Sequence, residues 1–264
     1  MAMPYKAVKN IKLFDNSLLK FETHDSLEST AELAKSYANS AYPNKYVVYT
    51  QNQTGVSQTK GLRSDKQSGI YMSCILRPSF FPAQAALLAP LATVALLTAL
   101  EEHTDSKLGI GWLSEIYCNG KKIGGVTIEG KLDSYSSYEY LIVNFSVAIN
   151  DKDFPPRLND IVKKVFEADN DSIYEIIAKT ILHKFFSVYS SLKKPAKYMD
   201  TYVRKFALVD KKIKYIKDGK KHACRVVSVA KDTCAITVDI GKGELMQISS
   251  PSGVITPNKI QIRE

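Results

Sequence analysis

Cysteine is sparse in this chain and never clustered. Cys74, Cys118, Cys224 and Cys234 lie far apart and form no C-x-x-C pair, which argues against a disulfide framework or a zinc ribbon. Reduced thiols in a cytoplasmic protein are the expectation. Histidine is as thin: His24, His103, His183 and His222 have no metal-ligand spacing, so they read as structural or exposed residues and no protein-held metal is expected. Neither a G-x-S-x-G elbow nor a P-loop string occurs, which removes two common nucleophile and nucleotide signatures. The most apolar run, Ala83 to Leu100, is interrupted by Gln84, Pro90, Thr93 and Thr98. It falls short of the ~20 residues of a membrane span and is expected to be a buried helix, with no membrane partner. No charged-then-apolar leader opens the sequence. No Arg-rich helix, zinc-finger spacing or leading helix-turn-helix is visible, so sequence-specific DNA binding is disfavoured.

What is present is an ordinary globular composition, 45% hydrophobic and 24% charged over 264 residues. That is enough for one large domain and a small one. The formal net charge is +9, and the lysines thicken in the C-terminal third. Such a charge suits acidic groups on a substrate or a carrier.

The chain is organised around Gly111 to Gly130. Ile110, Trp112 and Ile116 precede Asn119-Gly120, a type I′ hairpin signal because both central residues must accept positive φ. Ile123, Val126 and Ile128 follow. Between them stands Lys121-Lys122-Ile123-Gly124-Gly125. Two glycines inside a strand weaken it unless a ligand or another backbone comes close. A lysine there can hold an anion; the competing reading is a surface hairpin with a solvated lysine pair. Glu115 and Glu129 could form a carboxylate pair; the competing reading, preferred on pattern, is sheet-edge charge.

Residues 11–22 read as a short strand. Ser29 with Glu32 three residues on forms a capping box for a helix carrying Leu33, Ala34, Tyr37 and Ala38 on one face. Tyr46 to Thr50 is a strand, followed by a polar segment, Gln51 to Arg63, long enough to be functional. A strand follows at Ile70 to Arg77, then a helix over 82–102 with Pro90 as a kink or break. Tyr140 to Asn150 reads as a further strand. Asp171-Ser172 opens another helix, with Ile173, Ile176, Ile177, Ile181 and Phe185 on its apolar face. From about Phe206 the apolar runs shorten to Phe206–Val209, Ala223–Val229, Ala235–Ile240 and Leu245–Ile248, a spacing that suggests a small barrel.

These motifs, in this order, resemble the biotin protein ligases. The family hairpin reads Lys-Trp-Pro-Asn-Asp-Ile, a turn, then Lys-hydrophobic-Ala/Gly-Gly. Trp112, Ile116, Lys122, Gly124 and Gly125 fall on it, whereas Gly111, Leu113, Ser114 and Glu115 depart from Lys, Pro, Asn and Asp. A family Ser-Thr-Asn at a helix start is matched by Ser29 and Thr30, with Ala31 for Asn. In the family's glycine-arginine loop, Gln53, Thr54 and Gly61 keep register. Ser57, Gln58 and Thr59 stand where the family has Arg-Gly-Arg, and Ser64 replaces its tryptophan. Asn150 matches the end of the family strand Gly-Ile-Gly-Ile-Asn.

The resemblance implies an α+β fold: a mixed β-sheet with helices packed against it, like the class II aminoacyl-tRNA synthetase ligase core, plus a C-terminal SH3-like β-barrel. It divides the chain into 1–203 and 204–264. It implies ATP-dependent, AMP-forming activation of biotin to biotinyl-adenylate with Mg²⁺, then transfer to a lysine of a biotin carboxyl carrier protein. Carried over residue by residue, Lys122 is the catalytic cation. Ser29, Thr30, Ala31, Gln53, Ser57, Gln58, Thr59, Gly124 and Gly125 fall at biotin-binding positions. Lys60, Arg63, Ser114 and Asn150 fall at ATP-binding positions. The biotin half is largely kept and the nucleotide half is depleted. Two classes of function therefore stand open: a divergent ligase, and a non-catalytic protein that binds biotin or a carrier domain. A lipoate-transferring role is a third, and a homodimer is left open.

Overall fold

The computed structural model describes residues 6–13, 17–55, 69–149 and 172–262. An eight-stranded mixed sheet dominates it. In chain order its strands are β1 (Lys6–Lys12), β2 (Leu18–His24), β3 (Tyr46–Thr50), β4 (Gly69–Leu76), β5 (Leu108–Gly111), β6 (Glu115–Cys118), β7 (Lys121–Leu132) and β8 (Tyr138–Ala148). They lie side by side as β1-β2-β3-β4-β8-β7-β6-β5. β2 and β3 run parallel, joined through helix α1 (Thr30–Asn39), while the other neighbours are antiparallel hairpins or crossovers. The segment expected to be one strand over 11–22 is in fact two, β1 and β2, paired antiparallel with Leu13 N–H bonded to Ser17 O at 2.9 Å.

The two faces of the sheet carry different covers. Every residue of β3 and β4 is buried, as expected for central strands covered on both sides. On one face α1 lays Ala34 and Ala38 against Tyr46, Val48, Ile75, Tyr140 and Ile142. On the other, α2 (Leu88–Glu101) and α3 (Ile173–Tyr189) close over Tyr49, Met72, Phe145 and Val147. Residues 84–101 have the length and composition of a membrane span, yet α2 packs along α3 with most of its side chains buried in this core. Pro90 neither kinks nor breaks α2. A 3₁₀ turn over Pro82–Leu87 ends where α2 begins, and Pro90 sits in the first helical turn, where its missing N–H leaves no bond unmade.

α4 (Ala196–Lys205) follows and buries Tyr198, Met199 and Tyr202. Then come β9 (Lys212–Lys217), β10 (Lys220–Val229), β11 (Ile236–Gly241), β12 (Glu244–Ile248) and β13 (Val254–Ile255). These form an antiparallel sheet ordered β12-β11-β10-β9-β13. Phe206–Val209, expected as a strand, contributes only a bridge between Phe206 and Ile110. The strand before β10 is β9 instead. Side-chain bonds help fasten this sheet and α4 to the large one: the Trp112 indole N–H donates to Cys234 O at 2.6 Å, and the Tyr202 hydroxyl to Leu113 O at 2.8 Å. All four cysteines are buried free thiols, and burial pushes Cys74 and Cys234 up to about 12.

Candidate functional site

Register places the candidate residues on one face. Side chains alternate along a strand, so directly paired residues share a side. Val48, Ser73, Asn144 and Thr127 form one cross-strand row; Thr50, Tyr71, Ser146, Gly125 and Glu115 form the next row on that side. α1 lies over the first row. The second leads to Lys122.

The helix end is built by two loops that pair with each other. Leu27 and Gln53 form a parallel bridge, with Leu27 N–H donating to Asn52 O at 3.0 Å. This sets Gln53 under the start of α1, where its Oε1 accepts from the Thr30 N–H at 3.1 Å and the Thr30 hydroxyl at 3.3 Å. The Ser73 hydroxyl donates to Thr30 Oγ1 at 2.9 Å. Ser29 caps the helix, its Oγ accepting from the Glu32 N–H at 3.2 Å. Ala31 is buried at the same turn. Thr30 and Gln53 thus meet as expected, and Ser73 joins them. Its only sequence signal was a hydroxyl inside an otherwise apolar strand.

The hairpin end is a buried ion pair. Asn119 and Gly120 both take positive φ, 48° and 80°, as the turn requires. A register shift opposite Ile116 and Tyr117 brings Lys122 onto the side of Glu115 and Tyr117. The Lys122 ammonium lies 2.7 Å from Glu115 Oε1 and 2.9 Å from Thr256 Oγ1, with its side chain only 4% exposed. Thr256 Oγ1 is 2.6 Å and 2.7 Å from the two Glu115 oxygens. The Tyr117 hydroxyl donates to Pro257 O, and burial, then Glu115, raises its pKa. Lys122 is therefore not one of a solvated pair; Lys121, beside it, is exposed. Nor is Glu115 sheet-edge charge, since β5 stands outside β6. Glu129 has other partners, accepting from Asn144 at 3.2 Å and facing Lys35 at 3.8 Å. No local pattern in the sequence pointed to Thr256, 141 residues from Glu115.

Close backbone is one reason for the paired glycines. A Cβ on Gly124 would lie 2.0 Å from Ser146 O, and one on Gly125 2.2 Å from Ser114 O. Ser114 itself donates its hydroxyl to Val126 O at 2.6 Å. At Gly111, where the ligases carry lysine, a Cβ would meet the Tyr117 ring at 2.6 Å and Glu115 Oε2 at 2.7 Å. No longer side chain fits there in this arrangement. Ser57, Gln58, Thr59, Lys60, Arg63 and Asn150 lie outside the described residues. Among the described residues no group of three His, Cys, Asp or Glu could hold a metal ion. The histidines are separate: His24 on Glu22 at 2.6 Å, His103 on Thr180 at 3.1 Å, His183 in the core and His222 stacked on Tyr215. A groove of about 880 Å³ between α2, β5 and α4, lined by Glu101, Lys107, Arg204 and Phe206, contains none of the candidate residues.

A mixed sheet with its polar face turned to a helix N-terminus and a buried lysine has close structural counterparts. A biotin protein ligase variant from Aquifex aeolicus in complex with biotin superposes with a TM-score of 0.65, at 19% identity, over 89% of this chain and 96% of that one. The Aquifex aeolicus biotin protein ligase in complex with biotin and ATP gives 0.59 at 18% identity, over 89% and 97%. The biotin acetyl coenzyme A carboxylase synthetase of Helicobacter pylori gives 0.54 at 19%, over 86% and 99%. The fold is thus that of the biotin protein ligases. The sequence profile of the biotin/lipoate A/B protein ligase family matches residues 24–146. The bifunctional ligase/repressor BirA of Bacillus subtilis is 30% identical over 154 residues, 57% of this chain and 47% of that protein. The chain spans about half the length of the curated relatives it matches. Through residues 24–146 the chain is similar to the biotin/lipoate A/B protein ligase family, and its fold is the one those ligases share.

Proposed function

We propose that the chain binds biotin on the α1 face of the large sheet, activates its carboxylate with ATP to biotinyl-adenylate, and passes the acyl group to a lysine of a biotin carboxyl carrier protein. The observation that carries this is the buried Lys122 ammonium on the same face as Thr30, Gln53 and Ser73. Joining a carboxylate to the α-phosphate brings two anions together, and a fixed cation in a dry site offsets charge there far better than one in water. In this reading Lys122 releases Glu115 as the acyl carboxylate arrives, while Thr256 keeps hold of both. The positive end of the α1 dipole, with the hydroxyls of Ser29 and Thr30, suits the polar ureido end of the ligand. Lys60, Arg63, Ser114 and Asn150 are assigned to the nucleotide, and Ser57, Gln58, Thr59, Gly124 and Gly125 to the biotin wall. The C-terminal sheet is read as an SH3-like barrel, with the boundary near residue 204, and the protein as cytoplasmic.

Mg²⁺ fits this site poorly as a protein-held ion. Glu115 is the carboxylate beside Lys122, and both its oxygens are engaged by Lys122 and Thr256. A magnesium ion would come with the phosphates, its usual ligands in nucleotide sites, and no step here is assigned to it.

A second reading, a non-catalytic biotin or carrier binder, is favoured by Gly111, where Tyr117 and Glu115 fill the place of a family cation. Calorimetric titration with biotin, with lipoate, and with biotin plus ATP tests the ligand. Heat from biotin that exceeds heat from lipoate supports both readings. A clear lipoate signal with none from biotin defeats the ligase reading and the biotin-binding form of the second.

A further inference from the structure

The net positive charge has an address that the site does not use. β9 and β10 form a hairpin whose turn is Asp218-Gly219, with φ of 52° and 71°. Along it Lys212, Lys214, Lys217, Lys220 and Lys221 are all exposed, with the turn residue Asp218 the one anion between them. Among the described residues none of these five lysines is ion-paired; only Arg225 at the hairpin's root has a partner, Asp239 at 3.1 Å. Lys217 stands directly opposite Lys220, and Lys212 opposite Arg225. Like charges set opposite each other on neighbouring strands cost stability, so the hairpin's own folding does not account for them.

Position then limits the partner. β13 pairs with β9, Ile255 against Lys214. The next residue, Thr256, bonds the Lys122 ammonium at 2.9 Å. The root of the basic hairpin is thus one residue removed from the candidate reaction centre.

We infer that the β9–β10 hairpin is a docking surface for an acidic protein domain, the one that brings the acceptor lysine to Lys122. This rests on the ligase reading for the partner's identity and adds the surface that would recruit it. Unpaired exposed charge of one sign beside a site accelerates encounter with an opposite partner and makes it salt-dependent.

The test uses the full chain with Lys217→Glu, Lys220→Glu and Lys221→Glu combined. Binding of a fluorescently labelled, acidic biotin carboxyl carrier domain is read by anisotropy at low and high salt, beside a random 20-base-pair DNA duplex. Wild type should bind the carrier domain, and salt should weaken that binding. The triple variant should bind roughly tenfold or more weakly at low salt, with thermal unfolding and biotin-dependent pyrophosphate release unchanged. Carrier affinity that is the same in the variant, or insensitive to salt, overturns the inference. So does DNA that binds wild type more tightly than the carrier and is lost in the variant. If the variant unfolds, the salt dependence of wild-type binding decides. Docking without pyrophosphate release would sink the catalytic reading and leave this one standing; pyrophosphate release without docking does the reverse.

Discussion

Lys122 and Glu115 sit 2.7 Å apart on adjacent strands, β7 and β6, and Thr256 touches both. The pair joins the two sheets, because Lys122 N–H also donates to Asn258 O at 2.9 Å and Ile260 N–H to Gly120 O at 2.7 Å. The C-terminal segment thereby holds Lys122 in place.

The first prediction concerns that pair. Glu115→Gln leaves a nearly buried ammonium without its counter-charge and should cost about 3 kcal/mol in urea unfolding. Lys122→Met leaves Glu115, 20% exposed, with Thr256 and should cost less. The double variant should cost clearly less than the two added together. Strict additivity would show that the two residues are not coupled.

Gly124→Ala and Gly125→Ala should each destabilise by about 1–3 kcal/mol or more, since the obstructing atoms are backbone oxygens that cannot swing away. Gly130→Ala, whose nearest obstruction is the Leu141 side chain at 2.5 Å, should cost less. Biotin should leave the order of melting temperatures intact. Alanine variants as stable as wild type, with biotin affinity alone lost, would instead assign the glycines to the ligand.

A third expectation concerns acid. Burial holds the His183 imidazole below its ordinary value of 6.5. The unfolded chain therefore takes up the proton first. This contribution is complete above about pH 6.5 and is lost as the pH falls below it. Unfolding free energy should decline from pH 7 to 5, and His183→Gln should flatten that decline. Equal slopes for the two proteins would refute it.

The hairpin around Asn119-Gly120, the capped starts of α1 and α3, and the meeting of Thr30 with Gln53 were legible because each is encoded within a few residues or by family order. β9 was hidden because lysine alternates with Ile213, Tyr215 and Ile216, so its apolar run is short and interrupted. α4 does carry a sequence signal, with Tyr198, Met199 and Tyr202 at helical spacing on its buried face. Thr256 and Glu115 could not be paired from sequence, since only the docking of the C-terminal segment brings them together. The two glycines mark a close approach in the sequence, and the backbone oxygens of Ser146 and Ser114 supply one.

Pyrophosphate release by the purified chain with biotin, ATP and Mg²⁺, compared between wild type and Lys122→Ala, tests the central claim most directly. The account predicts biotin-dependent release by wild type and a rate at least about a hundredfold lower without the lysine, the scale of losing one charge-stabilising group. A wild type that releases none, or a turnover that survives the loss of Lys122, would contradict it.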